Sequence, residues 1–195
     1  IFFIAAPEKA ACIYAGQIRN ELGSRLDLLE KDAYRFCYIN DFPMYEIDEE
    51  TGKLGFTHNP FSMPQGGLEA LNEKDPLDIL AYQYDIVCNG VELSSGAVRN
   101  HDMEIMEKAF DIAGYDKETL KDKFGALYNA FQFGAPPHAG MAPGVDRMIM
   151  LLRNEENIRE IIAFPMSGTA QDLMCGAPNE ITEQQLREVH IKVRD

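Results

Sequence analysis

The sequence predicts an α+β fold in which an antiparallel sheet is flanked by helices. Strand-like segments are grouped between residues 34 and 98, and helical periodicity prevails from residue 102 onward. This order of elements is typical of an antiparallel sheet with helices packed against it. Asn89-Gly90 is the strongest short hairpin signal in the chain, and it separates two of the strand-like segments.

The composition is that of a soluble globular protein. Of the 195 residues, 46% are hydrophobic and 26% are charged, which is enough apolar material for one sizeable core. No apolar run approaches the roughly 20 residues that a membrane-spanning helix needs. We therefore expect no membrane segment.

Cysteine spacing and net charge indicate the cellular compartment of the protein and the kinds of ligand it can bind. The four cysteines are widely spaced and form no CxxC pair, so we expect reduced thiols in a cytoplasmic protein, without a metal or disulfide framework. The net charge of −14 argues against broad electrostatic capture of nucleic acid by this segment. A local basic patch, or a part of the protein outside these residues, is still able to contact nucleic acid.

Residues 1–30 are predicted to be the end of a domain that is cut at its amino side. Ile1–Ala6 is short, apolar and without a basic flank, which is typical of a buried strand and not of a signal peptide. Pro7, at a first helical position, introduces a helix over Glu8–Leu22, and Gly23 ends it. Because this strand and helix cannot bury both of their faces alone, we expect a missing partner.

Residues 31–195 are predicted to form the main domain. The predicted strands are Arg35–Glu46, Leu54–His58, Ala81–Cys88 and Val91–Val98, with a polar turn at Asp48–Lys53 and a loop at Pro60–Gly67. The predicted helices are a turn at Leu68–Asn72, Asp102–Gly114 and Lys117–Phe133 with caps at Asp102 and Asp116, Gly144–Arg153, and Gln184–Val189.

Asp85 and Glu92 lie on neighbouring strands of the predicted hairpin. Counting outward from a two-residue turn, Cys88 faces Val91 and Val87 faces Glu92. Asp85 lies two residues before Val87, so it shares a sheet face with Glu92. Two carboxylates on one face favour a cation, and magnesium on nucleotide phosphates needs one or two of them. The alternative is that both are solvent-facing strand residues.

Arg99 follows Glu92 by seven residues and extends the same strand region. Its planar guanidinium is the best side-chain match for a substrate carboxylate. The alternative is an ordinary surface or ion-paired arginine.

The segment Gly140–Met148 is a glycine-rich entry to a predicted helix. Glycines let the backbone approach a ligand closely, and the amino end of a helix favours anions. Arg147 is therefore placed to hold a phosphate. The alternative is a buried helix whose glycine entry serves packing and whose Asp146 complements the helix dipole.

His58 ends a predicted strand just before the Pro60 loop. A histidine there can donate to a carboxylate or change charge near neutral pH. The alternative is a structural histidine that only satisfies a local hydrogen bond. The other three histidines show no metal-ligand spacing, and we assign them no metal.

Taken in order, these motifs resemble bacterial aspartyl-tRNA synthetases, members of the class II aminoacyl-tRNA synthetases. The resemblance spans essentially the whole chain, and its last glycine-rich element is similar to the third signature motif of class II. The segments that carry it are Asp41–Met44, His58–Phe61, Tyr84–Glu92, Gly96–Arg99, Phe133–Gly140, Gly144–Arg147, Ile161–Pro165 and Gly176–Pro178.

The resemblance implies a cytoplasmic, homodimeric ligase that activates aspartate with ATP and transfers it to tRNA. It implies that His58 and Arg99 contact aspartate, and that Asp85 and Glu92 hold the magnesium ion bound to ATP. Arg147 is expected to be catalytic, on the phosphates. The residues expected to line the ATP site are Glu92, Gly144, Val145, Asp146 and Arg147.

The chain also departs from the family pattern. Leu93–Ala97 stands where the family usually has a glycine-rich, serine-containing stretch, and Pro143 removes one N–H before Gly144. The first two signature motifs and the anticodon-binding β-barrel are not found in these residues. The resemblance therefore implies that residues 1–30 end the domain that bacterial members insert before the third motif, and that residues 31–195 form the carboxy-terminal part of the catalytic domain.

Two readings of the function stay open at this point. We expect the parent protein to be an enzyme and the isolated segment to be inactive, since part of the site lies outside it. The alternative is a truncated, non-catalytic nucleotide-binding or assembly module. Charging of aspartate tRNA alone and charging of asparagine tRNA as well are both compatible with these residues.

Overall fold

The computed structural model describes residues 1–194, which form two compact units, one up to Arg35 and one from Phe36 onward. No helix in this described range is both long and apolar enough to cross a membrane. The helices are α1 (Glu8–Arg25), α2 (Gly67–Glu73), α3 (Met103–Ile112), α4 (Lys117–Phe131), α5 (Val145–Leu152) and α6 (Glu183–Glu188), with 3₁₀ turns at Pro76–Asp78 and Ile158–Glu160. The strands are β1 (Phe36–Pro43), β2 (Tyr45–Ile47), β3 (Leu54–Phe56), β4 (Leu80–Cys88), β5 (Val91–Val98) and β6 (Ala139–Pro143).

The first unit consists of α1 and the extended segments around it. The strand predicted at Ile1–Ala6 is wrong: this segment is coil, because no strand within residues 1–35 offers its backbone a partner. α1 begins directly after Pro7 and runs through Gly23 to Arg25, and no side chain of the unit is buried. The compact unit ends at Arg35, and the inserted domain over residues 1–30 stays a prediction.

The second unit is built on a four-stranded antiparallel sheet in the order β1-β4-β5-β6. This confirms the predicted fold class. The predicted strand Arg35–Glu46 is two strands, because Met44 leaves the sheet between β1 and β2 and donates its backbone N–H to the Ile79 carbonyl at 2.8 Å. β2 pairs with β3 in a separate hairpin. β6 was not predicted, since its Gly140 and Pro143 are poor strand formers.

The hairpin between β4 and β5 follows the predicted register at its tip. Asn89 and Gly90 both have positive φ (51° and 83°), as a tight two-residue hairpin turn requires. Cys88 pairs with Val91, and Val87 pairs with Glu92. The count outward from the turn is therefore confirmed for these two pairs.

Further from the turn, β5 carries a β-bulge at Leu93. Val87 pairs with Glu92, whereas Ile86 pairs with Ser94, so three residues of β5 oppose two of β4. In a regular strand, residues seven apart point to opposite faces of the sheet. The extra residue at Leu93 turns the following side chains over, so that Glu92 and Arg99 share one face.

The helices of the second unit contribute to two apolar clusters. One cluster joins β2, α2, β4 and α3, and the other joins α3 to α4. α3 and α4 begin at Asp102 and Asp116, whose carboxylates accept backbone N–H groups of the first turn, as predicted. The buried members are Met44, Tyr45, Leu71, Ile79, Ala81 and Ala109 in the first cluster, and Met106, Phe110, Leu120 and Tyr128 in the second.

Candidate functional site

Four of the predicted site residues line one cavity of about 590 Å³. Asp85 comes from β4 and Glu92 from β5, Arg99 follows the end of β5, and His58 lies in the loop after β3. These residues are up to 41 positions apart in sequence. The antiparallel pairing of β4 and β5 brings three of them together, and the loop after β3 adds His58. The cavity therefore combines a guanidinium, an imidazole and two carboxylates.

Arg99 is held by its backbone and leaves its side chain free. Its N–H donates to the His138 carbonyl at 2.9 Å, and its backbone forms a bridge with Ser62. Within residues 1–194 its guanidinium takes part in no hydrogen bond or ion pair, and the residue is half-buried at the cavity wall. Such a fork is able to receive a carboxylate in a bidentate way.

The two carboxylates influence each other across the cavity. Burial raises the pKa of Asp85 above its ordinary value, and the negative charge of Glu92 raises it further. The positive charges of His58 and Arg147 act in the opposite direction on the pKa but are outweighed. A cation placed between Asp85 and Glu92 is the chemistry that relieves this repulsion.

Arg147 binds Glu92 directly. Its Nη1 donates to the backbone carbonyl of Glu92 at 2.7 Å and to Oε1 of Glu92 at 3.0 Å. Next to it, the N–H of Gly144 donates to the carbonyl of Leu93 at 2.7 Å. Both carbonyls of the β-bulge are thus satisfied by the start of α5, which docks this helix on β5.

The remaining predicted ATP residues lie at the amino end of α5. Gly144, Val145 and Asp146 are outside the set of residues that line the cavity, and Val145 is 63% exposed. A Cβ on Gly144 would sit 3.3 Å from Cδ of Arg147, so glycine leaves room for the arginine stem. In this structure Arg147 faces Glu92, and its predicted role on phosphates stays a prediction.

Six further side chains line the cavity without having been predicted as site residues: Phe42, Asn59, Gln83, Ser95, Met141 and Ala142. The ring of Phe42 packs edge-on against His58, with centroids 5.1 Å apart. Gln83 lies two residues before Asp85, so strand periodicity alone would have placed it on the same face. Phe42 comes from β1 and carries no comparable sequence signal.

Gly96 lines the cavity at a position that has no room for a side chain. A Cβ at Gly96 would lie 2.5 Å from Cε2 of Tyr84 and would collide with the Gly140 carbonyl. The hydroxyl of Tyr84 passes over Gly96 and donates to that carbonyl at 2.9 Å. Gly96 is the one glycine of Leu93–Ala97, and it pairs with Tyr84 of β4 on one side and with Met141 of β6 on the other.

The donor set fits a nucleotide-bound magnesium ion. Carboxylate oxygens are the ligands that magnesium prefers, and it commonly takes one or two of them together with phosphate oxygens and water. Asp85 and Glu92 provide two on one wall, and burial together with the negative charge of Glu92 raises the pKa of Asp85. No group of three or more His, Cys, Asp or Glu side chains within residues 1–194 is arranged to hold a metal without such a substrate.

Comparisons with known proteins identify relatives of the whole chain. A family model described as tRNA synthetases class II (D, K and N) matches residues 9–168. An aspartate–tRNA(Asp/Asn) ligase of Zymomonas mobilis is 61% identical over 193 residues, which are 99% of this chain and 32% of that protein. An aspartate–tRNA ligase of Streptomyces coelicolor is 62% identical over 194 residues, which are 100% of this chain and 33% of that protein. The chain therefore spans about a third of the length of these curated relatives.

The fold has a counterpart among solved structures. An aspartyl tRNA synthetase from Entamoeba histolytica aligns with a TM-score of 0.52 at 24% identity, covering 80% of this chain and 26% of that one. At this identity the likeness concerns the fold alone.

Proposed function

The chain belongs to the class II tRNA synthetases (D, K and N), and on this premise we propose that it forms part of the active site of an aspartate–tRNA ligase. In that reaction aspartate attacks the α-phosphate of ATP, aspartyl-adenylate forms and pyrophosphate leaves, and the aspartyl group then passes to the 3′ end of tRNA. Identity of about 61% over the full chain to ligases of this name supports the choice of aspartate. The observation that carries the proposal is the single cavity shared by Arg99, His58 and the two carboxylates.

Arg99 holds a carboxylate of aspartate in this proposal. Its guanidinium is free, half-buried and presented from a backbone fixed on two sides. His58 lies on the same cavity and its ring is oriented by Phe42, so it is placed to donate a second hydrogen bond. A positively charged wall of this kind favours a dicarboxylate over a neutral amino acid.

Glu92, Arg147 and the amino end of α5 form the nucleotide side. Asp85 and Glu92 would hold the magnesium ion of ATP, which would supply neutralisation of phosphate charge. Arg147 exchanges its contact with Glu92 for the phosphates, and Gly144, Val145 and Asp146 line the ATP site. Reaction at phosphorus then relies on orientation and charge neutralisation, without a covalent protein intermediate.

The whole protein is proposed to bind tRNA and to act as a homodimer in the cytoplasm. The net charge of −14 leaves most of the electrostatic attraction for tRNA to residues outside this segment. Relatives named for aspartate tRNA and for both aspartate and asparagine tRNA match this chain at 62% and 61% identity. We therefore propose that the choice between these tRNAs is made elsewhere in the protein.

The decisive experiment is aspartate-dependent ATP–pyrophosphate exchange. We would measure it for the 195-residue chain and for a chimeric ligase, in which this chain replaces the matching third of the Streptomyces coelicolor ligase. The Streptomyces coelicolor enzyme without that third serves as the blank. Exchange by the chimeric ligase alone is expected.

Other outcomes have clear meanings. A silent chimeric ligase, beside an active Streptomyces coelicolor enzyme, would contradict the proposal and favour a nucleotide-binding or assembly module. Exchange by the 195-residue chain would contradict the expectation that residues outside it complete the site.

A further inference from the structure

One face of β4 changes character step by step along the strand. Ala81 is fully buried in the apolar core, Gln83 is 6% exposed, and Asp85 lines the cavity. Gln83 is thus the polar residue at which the core gives way to the cavity. A buried amide on such a boundary is costly unless its hydrogen bonds are made.

The side-chain amide of Gln83 donates hydrogen bonds to the loop that follows His58. Its Nε2 donates to Oγ of Ser62 at 2.9 Å and to the backbone carbonyl of Asn59 at 3.3 Å. Because the Asn59 carbonyl can only accept, these contacts fix which end of the amide faces the loop. Ser62 itself is completely buried, so this bond is shielded from water.

The same loop is tied to the backbone around Arg99. Met63 donates to the carbonyl of Val98 at 2.8 Å, and Asn100 donates to the carbonyl of Phe61 at 2.7 Å. Ser62 and Arg99 form a β-bridge between these two hydrogen bonds. Gln83 is therefore attached to the one segment that touches both His58, through Asn59, and Arg99, through Ser62.

We infer that Gln83 is a positioning residue that fixes His58 and Arg99 relative to β4 for binding of the amino-acid substrate. This inference rests on the proposed function of the cavity. Gln83 acts through the Asn59–Ser62 loop, whereas the nucleotide side is held separately, by the contacts of Gly144 and Arg147 to the bulge of β5. Loss of the Gln83 amide is therefore expected to weaken binding of aspartate and not binding of ATP.

The test is Gln83→Met in the chimeric ligase, since methionine keeps the length and removes the amide. We expect KM for aspartate to rise about tenfold, roughly what the loss of one or two buried hydrogen bonds produces, while kcat and KM for ATP stay within about twofold. Ser62→Ala is expected to raise KM for aspartate as well, and to add little in the Gln83→Met background, because both changes remove the same bond.

Gln65→Met is the matched control. Gln65 also donates an amide hydrogen bond, but to Asp41 at 2.6 Å, and it does not line the cavity. It should leave KM for aspartate unchanged. Equal increases in both KM values, a loss of activity that follows the melting temperature, or no change in KM for aspartate would each overturn the inference.

A second measurement separates this inference from the proposed function. Hydrogen exchange of the peptide around residues 57–63, followed by mass spectrometry in the chimeric ligase, does not depend on activity. Faster exchange there in Gln83→Met, but not in Gln65→Met, would support the positioning role even if aspartate-dependent exchange failed in the unmodified chimeric ligase. Unchanged hydrogen exchange in that case would overturn it.

Discussion

Arg147 and Glu92 are joined twice, through the backbone carbonyl of Glu92 at 2.7 Å and through its Oε1 at 3.0 Å. Both side chains are also expected to bind ATP, Arg147 through the phosphates and Glu92 through the magnesium ion. Both contacts are made by Nη1 of Arg147, and we expect a nucleotide to replace the one to the carboxylate. Without a nucleotide, the guanidinium of Arg147 thus has its hydrogen-bond acceptors on Glu92.

Arg147→Ala is predicted to separate binding from stability. Because the two side chains are 43% and 45% exposed, loss of the ion pair should cost at most about 1 kcal/mol of stability. KM for ATP should rise about 100-fold, since a charge-assisted phosphate contact is removed. Kinetics and urea denaturation of the chimeric ligase check both. Arg25→Ala breaks an exposed pair with Glu21 and should change neither; a normal KM for ATP in Arg147→Ala would remove its phosphate assignment.

Arg99→Ala is predicted to abolish aspartate activation. Its free guanidinium is the carboxylate ligand in our proposal, and Arg99→Lys should restore little, because an ammonium group cannot form the bidentate contact. Pyrophosphate exchange at saturating ATP measures the effect. Arg153→Ala, an exposed arginine after α5, is the control. Near-normal activation by Arg99→Ala would show that the carboxylate is bound elsewhere.

Asp85→Asn is predicted to stabilise the fold increasingly as pH rises. The pKa of Asp85 is raised by burial and by Glu92, so its ionisation disfavours the folded state. This penalty is absent below the unfolded pKa of about 3.9 and complete above the folded pKa. Urea denaturation at several pH values should therefore show a difference in the free energy of unfolding between Asp85→Asn and the unmodified protein. This difference should grow from near zero at low pH as the pH rises.

Asp48→Asn is predicted to change stability in the opposite direction to Asp85→Asn as pH rises. Hydrogen bonds from the Thr51 side chain and backbone lower the pKa of Asp48, so its ionised form favours the folded state. That contribution is present above the unfolded pKa and is lost as pH falls through the folded one. If Asp85→Asn behaved like Asp48→Asn, the raised pKa of Asp85 would be refuted. Asp85→Asn should also weaken magnesium-dependent exchange.

Gly96→Ala is predicted to destabilise the fold by about 2–3 kcal/mol, the size typical of forced overpacking. The added Cβ would meet the Tyr84 ring at 2.5 Å and the Gly140 backbone, neither of which can yield without moving a strand. Gly55→Ala has nothing within 4 Å of its Cβ and should be neutral or slightly stabilising. Urea midpoints of the two variants test this. Equal stability would show that β4, β5 and β6 can move apart at Gly96 without a measurable loss of stability.

The hairpin and its neighbouring helices could be predicted because their signals are local. Asn89-Gly90 fixes the turn, and Asp102 and Asp116 supply helix caps from their own first turns. The tip register followed from counting, without reference to any other part of the chain. Local backbone preference and the fold agree at these positions.

The parts that were missed depend on contacts between distant segments. Ile1–Ala6 is apolar enough for a strand, but no strand within residues 1–35 pairs with it. β6 forms in spite of its glycine and proline because β5 supplies a partner along Ser94–Val98. Phe42 reaches the cavity only through the pairing of β1 with β4.

The cavity itself was only partly foreseeable. The shared face of Asp85 and Glu92 follows from strand alternation near the turn, whereas the shared face of Glu92 and Arg99 requires the bulge at Leu93. The sequence of β5 gives no sign of a bulge, since no glycine stands at Leu93 to mark it. Their common cavity is therefore a property of the paired strands.

The bulge has a consequence for how this stretch can change over generations. Exchanging one amino acid for another between Glu92 and Arg99 keeps the count of residues, and with it the side of the sheet from which Arg99 projects. Losing or gaining a single codon there shifts the alternation by one and turns Arg99 away. The number of residues between Glu92 and Arg99 is thus constrained as tightly as the side chains that face the cavity.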